Sequence, residues 1–197
     1  MSYKLGLTGS IGMGKSTTAA MFRDAGLPVW DADAAVHRLY AVGGAAVAPL
    51  AKLYPMAIVD GLVDRSVLKR LIDQDRSVLT SLEQIVHPLV AADRAAFVDE
   101  QTADIIVFDI PLLFETGADA WLDGVAVVSA PQSVQTERVM SRGTMTAEQL
   151  ETIRSRQMPD AEKRARADFV IDTLTMDGAR ATVQQVIEQI RKGLADA

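Results

Sequence analysis

The chain has no cysteine. That excludes disulfides, zinc–thiolate centres and a thiol nucleophile, and it suits a reducing compartment. Asparagine is also missing, so the Asn-Lys-x-Asp motif of a guanine-reading switch cannot exist here. Histidine occurs twice, as His37 and His87, too far apart for ligand spacing and against a histidine-held metal. Positive charge is in deficit. The formal net charge of −6 argues against a general nucleic-acid binder, whose footprint is basic. No apolar run approaches the length of a membrane span. The N-terminus passes straight into strand-like sequence without a charged-then-apolar leader. A cytoplasmic protein with no membrane association is the expectation.

What is present is ordinary for a globular chain: 197 residues, 49% hydrophobic and 23% charged, enough for one domain with insertions around a sizeable core. Its most informative stretch is Gly9-Ser10-Ile11-Gly12-Met13-Gly14-Lys15-Ser16, a complete G-x-x-x-x-G-K-S phosphate loop. Lys4–Thr8 reads as a buried strand before it and Thr17–Phe22 as a helix after it. Glycines let such a loop wrap closely, with backbone N–H groups turned inward and a helix N-terminus adding partial positive charge. In this pattern Lys15 reaches the β/γ-phosphates and the Ser16 hydroxyl holds Mg²⁺, so ATP and Mg²⁺ are the expected cofactors.

Five segments read as strands buried on both faces: Leu5–Thr8, Pro28–Asp31, Asp104–Asp109, Gly124–Ser129 and Asp168–Asp172. Helical stretches separate them, which predicts an α/β doubly wound fold on a five-stranded parallel sheet. The spacing is uneven. Roughly seventy residues between the second and third strands contain no convincing strand, more than a crossover requires. That stretch reads as a helical insertion with a turn at Asp60-Gly61. A second excursion from Pro131 to Ala167 interleaves arginines with acidic residues and reads partly as a solvated helical surface. Ala179–Leu194 reads as an amphipathic helix packing on the sheet.

Ligands of parallel sheets bind at the C-terminal strand ends. Asp31 and Asp33 follow the second strand, where a carboxylate can accept a proton from an attacking hydroxyl. Either can instead cap the helix beginning near Ala34. Asp33, further out from the strand, is the chosen base. Asp109 ends the apolar run Ile105–Phe108, the usual place for a carboxylate serving Mg²⁺ beside a phosphate loop. The apolar segment Pro111-Leu112-Leu113-Phe114 then either lines a substrate pocket or packs under a loop. Arg138 and Arg142 lie one helical turn apart after the fourth strand, placed either to fold over phosphates or to sit on an exposed helix face. His87-Pro88 falls within the helical insertion, where proline would break or start a helix. His87 is a packing residue or a substrate contact.

The ordered set of Thr8–Ser16, Asp31-Ala32-Asp33, Val63-Asp64-Arg65, His87-Pro88-Leu89-Val90, Asp109–Glu115, Arg138 with Arg142, and Ala167–Asp172 resembles the dephospho-coenzyme A kinases over nearly the whole chain. The resemblance implies ATP-dependent phosphorylation of the ribose 3′-hydroxyl of dephospho-coenzyme A, a small-molecule substrate, with no obligate protein partner. It implies a core of the P-loop NTPase type over 1–32, 104–130 and 167–197, a coenzyme-binding helical insertion over 33–103 and a helical lid over 131–166. Asp33, Lys15 and Arg138 become the catalytic residues. Gly9, Ser10, Ile11, Gly12, Met13, Gly14, Lys15, Ser16, Thr17 and Arg142 bind ATP, and Ser16 and Asp109 serve the metal. Thr8, Asp33, His87, Asp109, Pro111, Leu112, Leu113, Phe114 and Glu115 map to the substrate side. Two departures stand out. Thr173-Leu174-Thr175 replaces the family's usual Asn and glycine after Val-Ile-Asp, and Ile153 stands four residues before Gln157 where the family often has arginine. Arg154 and Arg156 are the possible substitutes. The rival readings are another small-molecule or nucleoside monophosphate kinase, and an assembly ATPase coupled through an arginine finger.

Overall fold

The structure, a computed structural model, describes residues 2–196. Its elements begin β1 (Tyr3–Thr8), α1 (Lys15–Asp24), β2 (Val29–Asp31), α2 (Ala32–Tyr40), α3 (Val47–Leu53), β3 (Ile58–Val59), β4 (Leu62–Val63), α4 (Arg65–Gln74) and α5 (Ser77–Asp99). They continue β5 (Ile105–Asp109), β6 (Gly124–Ser129), α6 (Gln132–Ser141), α7 (Ala147–Arg154), α8 (Asp160–Arg166), β7 (Phe169–Asp172) and α9 (Met176–Ala195).

The main sheet is parallel, five-stranded and ordered β2-β5-β1-β6-β7. Leu5 lies beside Val107 on one flank and Gly124 on the other, and Val127 beside Val170. All five strands are those expected from sequence. Burial on both faces holds for β5 and β6, in which every residue is buried. It fails for β2 and β7, where only Trp30 and Ile171 are buried. Both are edge strands, with a neighbour on one flank only.

One face of the sheet is covered by α1 and α9. Met21 and Phe22 join Val183, Ile187 and Ile190 against Leu5, Leu7, Val107, Val128 and Ile171. Each such side chain contributes about 1.5–3 kcal/mol on full burial. On α9 the buried positions recur at helical spacing, as the sequence pattern requires. The other face carries a smaller cluster of Leu113, Phe114, Val125 and Val127.

The chain divides into two compact units, Met1–Trp30 with Gln101–Ala197, and Asp31–Glu100. The second has its own core of Leu39, Leu50, Val63, Leu68, Val78 and Leu82. It is mainly helical, but the expectation of no strand within it needs correcting. β3 and β4 form a small antiparallel hairpin, with Ile58 opposite Val63. Its turn is Asp60-Gly61, both at positive φ (49° and 79°). Two-residue strands are too short to read from alternation. Proline does not break α5 either. The helix continues through Pro88 for 23 residues. An internal proline forgoes one hydrogen bond and costs about 3 kcal/mol, and burial of Val78, Leu82 and Val86 offsets it.

Candidate active site

Gly9–Ser16 joins the C-terminal end of β1 to α1. Gly14 takes the N-cap position at φ 94°, and no side chain caps the helix. The first N–H groups of α1 are therefore left to the loop's concave side, where an anion can accept from them. Met13 N–H turns back to the Ser10 carbonyl at 3.1 Å, which tightens the loop.

Two neighbours clamp this loop. At Gly12 (φ +75°) a Cβ would lie 2.6 Å from Val139 Cγ2 and 3.2 Å from the Gln135 carbonyl, both on α6. Around Gly14 the wall is Thr173, whose Oγ1 donates to the Met13 carbonyl at 2.7 Å. Gly12→Ala is therefore expected to strain the backbone by about 1–2 kcal/mol before any clash. A nucleotide titration with a thermal melt should show weaker binding and a lower Tm.

Inside the loop, Lys15 Nζ lies 2.5 Å from Asp109 Oδ1 at the end of β5. Asp109 is 2% exposed. Register explains the meeting, because Leu7 of β1 pairs with Asp109. Ser16 is exposed at the start of α1. A hydroxyl and a carboxylate are hard oxygen donors. They fit Mg²⁺, which prefers one or two carboxylates plus phosphate oxygens and waters over a protein cage. Among the described residues no cluster of three or more His, Asp or Glu could form such a cage.

Arg138, half-buried on α6, donates through Nη1 to Thr173 Oγ1 at 3.1 Å and through Nη2 to the Thr173 carbonyl. Arg142, at the C-cap of α6, is exposed. Both border a cavity of about 270 Å³ that Gly14, Thr17, Thr173 and Thr175 also line. Thr173, at a position where the sequence departs from the family pattern, thus joins the phosphate loop to Arg138.

Residues 131–166 hold α6, α7 and α8. Their anchors were not legible as such from sequence. Gln135 is 3% exposed, and its Nε2 donates to the Ile11 carbonyl at 2.7 Å. Ile11 N–H donates to Gln157 Oε1 at 3.2 Å. The one signal for Gln135 was its place one turn before buried Val139. Further on, Lys163 is 0% exposed, with Nζ 2.8 Å from Glu115 Oε1. The solvated-surface reading of this excursion is therefore wrong for Lys163. Asp160, on the same helix, accepts from Ser129 Oγ at 2.7 Å. Burial alone would raise the Glu115 pKa. Bonds from Lys163 and from the Met158 N–H outweigh it and hold the carboxyl below the usual glutamate range.

Of the remaining substrate-side residues in this unit, Leu113 and Phe114 pack in the core beside Val125 and Val127. For these two residues the packing alternative describes the fold, and the Arg166 guanidinium lies 4.5 Å from the Phe114 ring centroid. Thr8 is fully buried, its hydroxyl donating to the Pro111 carbonyl at 3.1 Å. Leu112 is 42% exposed and stays available.

In the second unit, Asp31 caps α2 by accepting from Ala34 N–H at 2.9 Å. Asp33 lies in the first turn, exposed and outside the cap. Capping of α2 therefore falls to Asp31 and not to Asp33. His87 is exposed on α5, which removes the packing reading for it. Asp64, part of the family-like Val63-Asp64-Arg65, caps α4 through Ser66 and Val67. Arg65 stacks 5.5 Å from the Tyr40 ring centroid.

The family model described as dephospho-CoA kinase matches residues 3–177. A curated dephospho-CoA kinase of Ruegeria pomeroyi is 63% identical over 193 residues, covering 98% of each chain. Another, from a Jannaschia species, is 58% identical over 98% of this chain and all of its own. Among solved structures, one from Thermus thermophilus superposes with a TM-score of 0.86 at 34% identity, covering 95% of this chain and 97% of its own. The dephospho-CoA kinase from Campylobacter jejuni superposes at 0.71 with 25% identity, covering 98% and 99%. A match of this length takes in the phosphate loop, the α5 histidine and the segment after β5 together, and the chain belongs to the dephospho-CoA kinase family.

Proposed function

We propose that this kinase transfers the γ-phosphate of ATP to the ribose 3′-hydroxyl of dephospho-coenzyme A, giving coenzyme A and ADP, the final step of coenzyme A synthesis. The observation that carries the reading is the phosphate loop with Lys15 against Asp109, in a chain matched over nearly its full length by dephospho-CoA kinases. Residues 1–32, 104–130 and 167–197 serve as the nucleotide core, 33–103 as the coenzyme-binding insertion and 131–166 as the lid.

In this reading the loop amides from Gly9 to Thr17 and the Lys15 ammonium hold the phosphates. The adenine end extends toward the cavity between Arg138, Arg142 and Thr175. Ser16 and Asp109 would hold Mg²⁺, which supplies charge neutralisation on the β/γ oxygens. Asp33 orients the 3′-hydroxyl and takes its proton, supported by its exposure and its freedom from the capping role that occupies Asp31. His87 and Leu112 are each exposed and, with Pro111, are assigned to the coenzyme side. Arg138 neutralises charge developing during transfer, and lid closure keeps water from competing as acceptor. No obligate protein partner is part of this reading. Dependence on ATP fits a cytoplasmic enzyme.

The test is a coupled assay with Mg²⁺-ATP that compares dephospho-coenzyme A, adenosine, AMP and no acceptor, with the product identified by mass. Acceptor-dependent phosphorylation of dephospho-coenzyme A at the 3′ position is expected. Transfer to another acceptor, or hydrolysis alone, would overturn the acceptor assignment and leave the nucleotide core standing.

A further inference from the structure

Arg154 is one of the two candidates, with Arg156, for a further phosphate-binding arginine, yet its guanidinium is already engaged. Nε and Nη2 donate to Gln135 Oε1 at 2.9 and 2.7 Å. Nη2 also reaches Thr136 Oγ1 at 2.9 Å, and Nη1 pairs with Glu151 at 3.2 Å. All three nitrogens thus have protein acceptors. The Gln135 amide is held from its other end as well, because its Nε2 donates to the Ile11 carbonyl at 2.7 Å. A guanidinium only donates and a carbonyl only accepts, so the amide has one orientation that satisfies both. No other uncharged side chain of that length can do this. Gln157, three residues beyond Arg154, accepts from the Ile11 N–H at 3.2 Å. Ile11, inside the phosphate loop, is therefore gripped at both backbone groups, on one side through a relay that starts at Arg154.

We infer that Arg154 is a positioning residue that acts on the phosphate loop through Gln135, and that it does not itself contact the transferred phosphate. The relay makes the loop's backbone geometry depend on where α7 sits. Lid position and phosphate binding are thereby coupled without a direct lid-to-phosphate bond from this arginine. The inference rests on the nucleotide-binding part of the proposed function and is independent of the acceptor. A wrong acceptor would show in the wild-type product, whereas a wrong relay shows only in the comparison below.

The experiment is a double-mutant cycle with Arg154→Met, Gln135→Leu and the double variant, in the full chain, titrated with Mg²⁺-ADP and with a non-hydrolysable Mg²⁺-ATP analogue. Each single variant should raise Kd by about fivefold to tenfold, the scale of a buried hydrogen bond. The factor should be equal for the two nucleotides, because the loop holds phosphates common to both. The double variant should lose no more than the worse single, since both sever one chain of contacts. Gln135→Glu keeps an acceptor for Arg154 but cannot donate to Ile11, and should match Gln135→Leu. It also keeps the proposal testable if the leucine variant does not fold. Losses that multiply, an Arg154→Met effect at least tenfold larger for the ATP analogue than for ADP, or a Gln135→Glu variant binding like wild type would each overturn the relay.

Discussion

Asp33→Asn is expected to lower kcat by about 10²–10⁴-fold, the usual contribution of a positioned general base, while ATP binding stays near wild type. The substitution is nearly isosteric and removes only the ability to take a proton. Asp33 is exposed and does not cap α2, so the fold should not suffer. Asp31→Asn is the control. Asp31 caps α2 through Ala34 N–H, and asparagine caps a helix as well as aspartate does. Stability and turnover should therefore both hold in that variant, whereas Asp31→Ala should cost about 0.5–2 kcal/mol of stability. Steady-state kinetics with a separate ATP titration make the comparison. Near-normal kcat in Asp33→Asn, or a collapse in Asp31→Asn, would move the base assignment off Asp33.

The second large effect concerns the pair Glu115–Lys163, in which the lysine is buried and the glutamate reaches it from the surface. Lys163 is 0% exposed and the Glu115 side chain 18%, with 2.8 Å between the charged atoms. Forming such a pair gains little overall, because desolvation of both ions opposes their attraction. Removing one partner is a different matter, since it strands a charge in the interior. Glu115→Ala is expected to destabilise by about 3–5 kcal/mol. For a chain of this size that is a fall in Tm on the order of 10 °C. Glu115→Ala with Lys163→Met should recover much of it. A thermal melt within a degree or two of wild type for the single variant would show that Lys163 is not buried in solution. The same contact sets a pH dependence. The folded Glu115 pKa is depressed, so its contribution is present above the unfolded glutamate range and is lost as pH falls through the folded value. The double variant should lack that part of the acid sensitivity.

Glu115 also shows how family resemblance and structure divide the work. Its place in Asp109–Glu115 puts it on the substrate side by resemblance. In the folded chain its carboxylate holds Lys163 and the Met158 N–H, and so anchors the far leg of residues 131–166. Leu113 and Phe114 follow the same pattern, since an apolar run after a strand reads equally as pocket lining or core, and here these two are core while Leu112 is exposed. Conversely, Lys163 sits among charges at helical spacing, and nothing local distinguishes it from a solvated lysine. Its burial and its pairing with Glu115, distant in the chain, come from the tertiary fold.

The phosphate loop, the five strands and most of the helices were legible because their determinants are local. Glycines at positive φ, continuous apolar runs and amphipathic spacing act over a few residues. The sequence placed Asp109 near the phosphate loop as a metal carboxylate, but its pairing with Lys15 came from the parallel register of β1 and β5. Tertiary structure alone decided three things. It assigned capping to Asp31 and left Asp33 outside the cap, it buried Lys163 against Glu115, and it joined Ile11 to Gln135 and Arg154. Each depends on which carbonyl, carboxylate or amide arrives within about 3 Å of a given donor. Hydrogen-bond partners meet by the path of the whole chain, and no short window of residues encodes that path.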